Sequence, residues 1–269
     1  MVIKVKIAVL ASGSNGNATY IETKNNKFLI DDGISFKLLL SRFYACNIEI
    51  NKVDSIFLTH EHFDHVCGLR MLTKNLKLDS YLSLGTYKGL NKEGKSAIDN
   101  SNVHYIKSGD ILDFGNAKIT VLQIHHDVYE PLGFIIEEDG KKLVYITDTG
   151  YVDKKYYEIL SNADMYIVES NYDVEMLWSS NRPFELKKRI EGDHGHMSNE
   201  ACAVLLSHLI GANTKTIVLA HISDDCNYYH MPELIMKHHQ KVYNEFGLET
   251  EGINFVFGNR NGVTGVFEI

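Results

Sequence analysis

The amino-acid sequence predicts a layered α/β sandwich in which helices cover two mixed β-sheets. Short apolar segments with the alternation of β-strands outnumber helical segments, and short turns join many of them. Helical segments occur in both halves of the chain, where they can cover the sheets. The 269 residues are 44% hydrophobic and 23% charged, a composition typical of a globular protein with a large core. Because no linker-like stretch interrupts the chain, we expect a single domain over residues 1–269.

The first half of the chain is predicted to be rich in strands. Hydrophobic residues alternate with two lysines near the N-terminus and predict a strand over 2–10. The segment SGSNGN, rich in Gly, Ser and Asn, then predicts a turn. The remaining patterns predict helices near 35–45 and 65–76, and strands at 18–23, 27–31, 54–60, 80–84, 103–106, 117–124 and 132–137.

The second half alternates strands with longer helices. In the helical segment NEACAVLLSHLI, Ser198 or Asn199 can cap the N-terminus, and Gly211 can end the helix in a left-handed conformation. At the C-terminus, the turn residues GNRNG between INFVF and VTGVFEI predict a hairpin. The other predicted elements are strands at 142–148, 163–170 and 214–221 and helices near 153–161 and 232–246.

Charge and cysteine content narrow the functional classes. A formal charge of −8 gives no global basic field for nucleic acid, although a local patch or bound cations can supply the attraction. The four cysteines form no C-x-x-C pair, which favours reduced thiols in the cytoplasm. The apolar N-terminal segment is too short for a signal peptide, and no segment reaches the ~18 apolar residues of a membrane helix. We therefore expect a cytoplasmic protein that does not use a membrane.

The segment HEHFDH brings four metal-ligand residues together directly after a predicted strand. In an extended segment, His60 and His62 point the same way and can bind one cation. The turn into the next helix directs Asp64 and His65 to a second position. Imidazole and carboxylate groups suit Zn²⁺, Mn²⁺ or Fe²⁺ and suit Ca²⁺ poorly. Asp64 alone could be a helix N-cap, but four such residues within six positions predict a metal site.

Three later predicted strands are also followed by histidine or aspartate residues that could bind a metal. His125 and His126 follow the strand TVLQI, Asp148 follows KLVYIT, and His221 follows TKTIVLA. Singly, Asp148 or His221 could be a turn former or a cap. Together with the first cluster, these residues form a coherent set of metal ligands.

These residues resemble the ligand motifs of the metallo-β-lactamase superfamily. THEHFDH resembles its H-x-H-x-D-H signature, and the later His, Asp and His match its remaining ligand motifs in order. The resemblance covers nearly the whole chain and implies a four-layer αββα sandwich of two similar halves, roughly 1–138 and 139–269. It also implies two divalent metal ions, zinc or manganese, with iron as a further choice.

The resemblance assigns a role to each candidate ligand. One ion would be bound by His60, His62 and His126, the other by Asp64, His65 and His221, and Asp148 would lie between the ions. His125 remains a rival of His126, which is favoured because it precedes Asp127, as the equivalent histidine does in relatives. Asp31 in LIDDG matches an early aspartate motif, where it either holds a ligand histidine or forms a strand-to-turn junction.

Five segments further resemble the YycJ-type branch, also called WalJ-type: ASGSNGN, ITDTGY, ESNYDVEML, GHMSNE and LAHIS. The resemblance implies a cytoplasmic metal-dependent nuclease with 5′→3′ exonuclease activity, acting on DNA rather than RNA. Two departures are Phe63, where relatives carry a polar residue, and the segment DDCNYYHMPE after LAHIS. We expect Phe63 to point away from the metals and the altered segment to change substrate contacts.

The resemblance implies phosphodiester hydrolysis by a metal-activated hydroxide that Asp64 orients, with Asp148 bridging the metals. His196 resembles a histidine near the scissile phosphate in related nucleases, where it would assist the leaving group. Alternatively, Gly195–Asn199 is only a capping loop for the next helix.

Two other segments permit two interpretations each. SGSNGN is either a phosphate cradle or a simple turn. The cluster Lys187, Lys188 and Arg189 either contacts a nucleic-acid backbone or forms a solvated helix face.

Two other functions are consistent with the residues. The same metal pair could hydrolyse a small carbonyl substrate such as a thioester or lactone, or the protein could bind metal without turnover. GHMSNE favours a nuclease over the first alternative, and the intact ligand set argues against the second. The sequence does not determine the native metal or the oligomeric state.

Overall fold

The computed structural model describes residues 5–269 and divides them into two compact units. Unit 1 comprises the described residues up to Gln123, together with Val128–Lys141 and Gly258–Ile269. Unit 2 comprises Ile124–Asp127 and Lys142–Phe257. Residues 2–4 of the predicted first strand lie outside the described residues.

Fourteen strands lie within residues 5–269 and form two mixed sheets of seven strands each. In the first sheet the order is β14-β1-β2-β3-β4-β5-β6, antiparallel up to β3 and parallel from β3 to β6. In unit 1, β7–β9 pair antiparallel, and in unit 2, β10–β13 pair in parallel. The strands are β1 Lys6–Ala11, β2 Ala18–Glu22, β3 Lys27–Ile30, β4 Ser55–Phe57, β5 Asp79–Leu82, β6 Asn102–Tyr105, β7 Ile111–Phe114, β8 Ala117–Gln123, β9 Leu132–Glu138, β10 Lys141–Ile146, β11 Met165–Glu169, β12 Thr216–Ala220, β13 Asn254–Phe257 and β14 Gly265–Glu268.

Ten α-helices within the same residues connect the strands, with short 3₁₀ turns at Ile50–Lys52 and Lys154–Tyr156. They are α1 Phe36–Ala45, α2 Phe63–Val66, α3 Leu69–Asn75, α4 Leu84–Gly89, α5 Lys92–Asp99, α6 Tyr157–Leu160, α7 Val174–Ser179, α8 Phe184–Glu191, α9 Asn199–Leu209 and α10 Pro232–Glu245. None of these helices has both the length and the apolar character needed to cross a membrane.

Each unit has its own buried core. In unit 1, apolar side chains of β1–β4 pack with those of α1, α3 and α5, and the rings of Tyr20 and Phe43 meet edge to face at 5.4 Å. In unit 2, β11 is buried along its whole length, as expected for a strand inside a parallel sheet. Ser198 caps α9 as predicted, because its side chain accepts a hydrogen bond from the backbone N–H of Ala201.

The predicted C-terminal hairpin is wrong. β13 pairs in parallel with β12, whereas β14 pairs antiparallel with β1, so the two strands belong to different sheets. The GNRNG segment therefore connects two sheets instead of reversing the chain locally. The Arg42 guanidinium helps to hold this connection, since its Nη1 donates to the carbonyl oxygen of Gly262 over 3.0 Å.

Two helix boundaries also differ from the prediction. The helix expected at 65–76 is divided into α2 and α3 at Gly68, where an added Cβ would lie 2.4 Å from the Asp32 carboxylate. A side chain at this position would collide with buried groups, so the chain uses glycine. Gly211 does not end α9 in a left-handed conformation, because the helix already ends at Leu209 and Ile210 is extended.

The sequence patterns also missed short elements. Strand β7 and helices α4, α5, α7 and α8 were not predicted as separate elements. These elements have between four and eight residues, which is too short to establish a clear periodicity.

Candidate metal centre

Unit 1 brings the four residues of the HEHFDH segment together. After β4 the chain bends at Thr59 and reaches His62, which occupies the N-cap position of α2. The ring of His60 lies 4.8 Å from that of His62 and 4.0 Å from that of His65, measured between centroids. The Asp64 Oδ2 lies 3.5 Å from the His65 Nε2. The strand-to-helix turn thus gathers three imidazoles and one carboxylate, as the sequence predicted for this segment.

The intervening residues of this segment face elsewhere. The Glu61 carboxylate accepts a hydrogen bond from the backbone N–H of Tyr129 over 3.1 Å. The Phe63 side chain is 75% exposed. Phe63 therefore contributes to the surface of unit 1, whereas His60 and His65 are buried.

Asp31 holds His65 in place. Its Oδ2 accepts a hydrogen bond from the His65 Nδ1 over 2.8 Å, and its two oxygens also accept from the backbone and hydroxyl of Thr59. Burial raises the pKa of the Asp31 carboxyl, while His65 and Thr59 lower it. Asp31 therefore contacts a predicted ligand histidine, which was one of its two predicted roles, and a carboxylate in this position orients a metal-binding imidazole.

Asn17, in the SGSNGN segment, has a role that the sequence did not suggest. Its side-chain amide donates to Asp64 Oδ2 over 3.2 Å and lies 3.0 Å from His65 Nε2. Its backbone N–H also donates to the Asp64 carbonyl over 2.8 Å. The SGSNGN turn therefore positions two predicted ligands, which is a third role beside the phosphate cradle and the simple turn.

Unit 2 gathers the remaining candidates from four separate segments. The His196 ring lies 5.0 Å from that of His126 and 5.2 Å from that of His221. The His221 Nδ1 lies 3.1 Å from the Asp148 Oδ1. Asp148 and His221 are buried, whereas the His196 side chain is 21% exposed. Residues almost 100 positions apart in the chain thus form one cluster of ligand-type groups in this unit.

Glu169, which the sequence analysis did not single out, lies at the centre of this cluster. Its Oε1 accepts hydrogen bonds from the Nδ1 atoms of His196 and His221, each over 2.8 Å. Its Oε2 accepts from the backbone N–H groups of Thr149 and Met197. Glu169 therefore positions His196 and His221, and its carboxylate also belongs, with Asp148, to a group of side chains that could hold a metal ion.

The charge of Glu169 depends on the histidines around it. Burial alone raises the pKa of its carboxyl, but attraction to His196 and hydrogen bonds from His196 and His221 bring the pKa below its ordinary value. The carboxylate is therefore ionised at neutral pH. A signal in the sequence was available, since Glu169 ends the buried strand β11 just as the predicted ligands end other strands.

The structure separates His126 from its neighbour His125. His126 is buried, and its Nδ1 lies 3.0 Å from the carbonyl oxygen of Gly195. His125 instead stacks on Tyr151 and places its Nε2 3.1 Å from Asp153 Oδ2. Burial beside His196 therefore favours His126 over His125 as the ligand.

Three of the residues described above lie just after a strand and have a strained backbone conformation. Asp31, Asp148 and His221 all have positive φ, at 59°, 57° and 51°. Residues other than glycine rarely adopt this conformation, and such strain is concentrated at functional sites. Asp31 lies in unit 1, and Asp148 and His221 lie in unit 2, so this conformation occurs at ligand-type strand ends in both units.

The donor chemistry of both units fits divalent transition metals. In unit 1 the Nδ1 atoms of His60 and His65 lie within 3.0 Å of Thr59 and Asp31, respectively, and in unit 2 Glu169 holds His221. An outer partner on Nδ1 directs Nε2 toward a metal, as in many metal-binding histidines. Mixed imidazole and carboxylate donors of this kind suit Zn²⁺, Mn²⁺ or Fe²⁺.

The basic cluster on α8 is largely structural. Lys187 is buried, and its Nζ donates to the carbonyl oxygens of Trp178 and Ser180 over 2.7 and 2.6 Å, which caps the end of α7. Arg189 forms an ion pair with Asp127. Lys187 is therefore held inside unit 2 by its hydrogen bonds, and a contact of the triplet with nucleic acid stays a prediction.

Comparison with known proteins identifies the family. Residues 26–222 match the family model described as the beta-lactamase superfamily domain. The chain is 36% identical over 235 residues to "Exodeoxyribonuclease WalJ" of Streptococcus pneumoniae, with 87% of each protein covered. It is 36% identical over 241 residues to "Exodeoxyribonuclease YycJ" of Bacillus anthracis, with 89% of each covered.

A solved structure supports the fold over the full length. The metallo-beta-lactamase fold protein YhfI from Bacillus subtilis superposes with a TM-score of 0.70 at 17% identity, covering 99% of this chain and 100% of that one. At this identity the similarity bears on the fold alone, and it confirms the predicted αββα sandwich class. The chain thus belongs to the metallo-β-lactamase superfamily and, within it, to the branch of the WalJ and YycJ proteins.

Proposed function

We propose that this protein is a metal-dependent nuclease that removes nucleotides from DNA ends, with 5′→3′ polarity. The observation that carries the proposal is the Glu169–His196 pair beside Asp148 and His221, because hydrolysis of a phosphodiester needs a proton donor for the leaving oxygen. The names of the two 36% identical relatives support DNA as the substrate.

The proposed ligands are those that the family resemblance implies. They are His60, His62 and His126 for one ion, Asp64, His65 and His221 for the other, and Asp148 for both. When bound, a pair of divalent cations supplies a hydroxide nucleophile at neutral pH and neutralises charge that develops on the phosphate. Zinc and manganese are the metals that we favour, with iron as a third choice.

The residues of the chain itself perform the remaining steps. Asp64 would orient the attacking oxygen, since Asn17 fixes its carboxylate in unit 1. His196 would hold a proton at Nε2 while its Nδ1 donates to Glu169, whose negative charge stabilises the imidazolium. The partly exposed His196 ring would then transfer this proton to the leaving oxygen of the nucleotide chain.

An end-labelled assay tests this proposal. Purified protein with about two equivalents of Mn²⁺ should degrade 5′-labelled DNA, single- or double-stranded, and should degrade matched RNA more slowly. Asp64→Ala should reduce the rate by ~100-fold or more, because it removes both a ligand and the group that orients the nucleophile. The matched control is Asp113→Ala, which changes an exposed aspartate on β7 and should retain full activity.

Small substrates distinguish the alternatives. A nuclease should hydrolyse bis(p-nitrophenyl) phosphate and lose this activity in the presence of a chelator. Turnover of only a thioester or nitrocefin would overturn the nuclease proposal in favour of a carbonyl hydrolase. Full metal loading without any turnover would instead indicate a metal-binding protein. The cytoplasmic location stays a prediction from the sequence.

A further inference from the structure

A pair of stacked rings lies beside the metal-ligand residues of unit 2. The rings of His125 and Tyr151 are nearly parallel, with centroids 4.1 Å apart and an interplanar angle of 7°. Tyr151 is 40% exposed, whereas the His125 side chain is only 14% exposed. The tyrosine ring therefore covers the histidine on one side and still presents surface to solvent.

Hydrogen bonds fix the backbone around this pair. The backbone N–H of His125 donates to the Thr149 hydroxyl over 3.0 Å, and the Gly150 N–H donates to the His125 carbonyl over 3.0 Å. The Thr149 hydroxyl in turn donates to the Tyr151 carbonyl over 2.6 Å. Since both segments are tied together, the stacked pair is preorganised, and a ligand on it would lose little conformational entropy to the protein.

An ion pair between Asp153 and Lys155 lies beside the stacked rings. Asp153 holds His125 at 3.1 Å and pairs with Lys155 at 3.0 Å. The Lys155 side chain is 58% exposed, and its ammonium lies 4.8 Å from the ring centroid of Tyr156. An exposed cation and an exposed flat ring thus occur on one short segment, which is a combination used by proteins that bind single-stranded nucleic acid.

The position in the chain connects this pair to the chemistry. His125 directly precedes His126, and Tyr151 follows Asp148 by three residues. Both rings are therefore attached to two of the three backbone segments that carry proposed metal ligands of unit 2. A nucleotide whose phosphate is held by those ligands would have its base close to these segments.

On the basis of the nuclease function proposed above, we propose that Tyr151, backed by His125, is a stacking platform for a base near the end of the DNA substrate. Every base has a flat π face, so such a platform accepts any sequence and holds the strand without reading it. Tyr151 would be a binding residue that sets the affinity for the strand end. It would take no part in bond cleavage.

A comparison of normal and abasic oligonucleotides provides the decisive test of the stacking platform. We would compare oligonucleotides that carry an abasic nucleotide at the first, second or third position from the degraded end with the normal strand. Wild type should bind the normal strand better than one of the abasic strands, with a KM difference of ~10-fold. In Tyr151→Ala this preference should disappear, while Tyr151→Phe, which keeps the flat ring, should retain it.

Controls separate the platform from a structural role. Tyr44→Ala removes an exposed tyrosine from α1 and should leave the preference intact. If Tyr151 only supported the fold, Tyr151→Ala would slow cleavage of normal and abasic strands equally, and this outcome would overturn the platform. Unchanged KM values in Tyr151→Ala would also overturn it. If wild type degraded no strand at all, the nuclease function itself would fail, which is distinguishable from either result.

Discussion

The two units present similar ligand chemistry in different ways. In unit 1 the four ligand-type residues lie within six consecutive positions, 60–65, and two outer residues, Asp31 and Asn17, support them. In unit 2 they come from four distant segments, and a single buried carboxylate, Glu169, holds two of the histidines. Separate outer residues thus support the contiguous cluster, while in the dispersed cluster one carboxylate contacts both His196 and His221. This difference predicts that the two units respond unequally to loss of an outer partner.

Among the outer partners of the histidines, the largest effect is expected for Glu169→Gln. The amide cannot accept from both His196 and His221 with the strength of a carboxylate, and it removes the charge that stabilises a protonated His196. We expect phosphodiesterase activity to fall by ~100-fold, near the upper end for residues that support metal ligands. Steady-state kinetics on bis(p-nitrophenyl) phosphate would measure the loss.

A matched variant tests whether this effect belongs to the cluster. Glu138→Gln changes another buried glutamate, whose oxygens accept from the backbone N–H of Lys24 in unit 1. It should retain the activity of wild type. Equal losses in both variants would mean that burial of a glutamate, rather than contact with the histidines, determines the effect.

A smaller effect is expected for Asp31→Asn in unit 1. The asparagine can still accept from Thr59, and Asn17 continues to contact His65 and Asp64. We expect metal affinity to fall by ~10-fold, at the lower end for outer partners of ligand histidines. Competition of the protein with a zinc-binding dye would measure the change. A loss larger than that of Glu169→Gln in the same assay would contradict the comparison between the units.

The contrast between contiguous and dispersed residues also explains which site residues could be predicted from the sequence. Four ligand-type residues directly after one strand could be recognised from the sequence, because local chain geometry alone brings His60 and His65 together. Glu169 was missed since its role arises only when β11 lies between the segments that carry Asp148 and His221. Asn17 was missed for a related reason. An asparagine next to glycine is typical of a turn, so nothing in the sequence indicated that Asn17 also contacts Asp64 and His65.

In the fold, too, local features could be predicted from the sequence, whereas long-range strand pairing could not. Long segments with strong periodicity, such as β8 and α10, agree with the predicted ranges to within one residue. The C-terminal hairpin failed because turn residues report local chain direction, whereas strand pairing is decided by distant partners. Both β13 and β14 find ladders of four residue pairs with strands far away in sequence. Turn chemistry alone could not reveal these partners.

The smallest expected effect concerns pH and the stability of unit 2. Burial, together with repulsion from His238, lowers the pKa of His239 from 6.5 to about 3. The hydroxyls of Ser170 and Tyr243 contact its two ring nitrogens, so the folded protein keeps this imidazole neutral. Below pH 6.5 the unfolded chain binds a proton that the folded chain excludes. The contribution of His239 to the free energy of unfolding is therefore fully present above pH 6.5 and decreases as the pH falls toward 3.

Between pH 7 and pH 5.5 this single histidine should reduce the free energy of unfolding by ~1.2 kcal/mol. Urea denaturation of wild type and His239→Gln at both pH values would isolate the contribution, since glutamine does not titrate. The variant is expected to be less stable at pH 7 and to lose less stability on acidification. His208→Gln, which changes an exposed histidine on α9, should follow wild type at both pH values. If His239→Gln also followed wild type, the imidazole would be accessible to protons in the folded state, and unit 2 would be less tightly closed around α10 than its burial indicates.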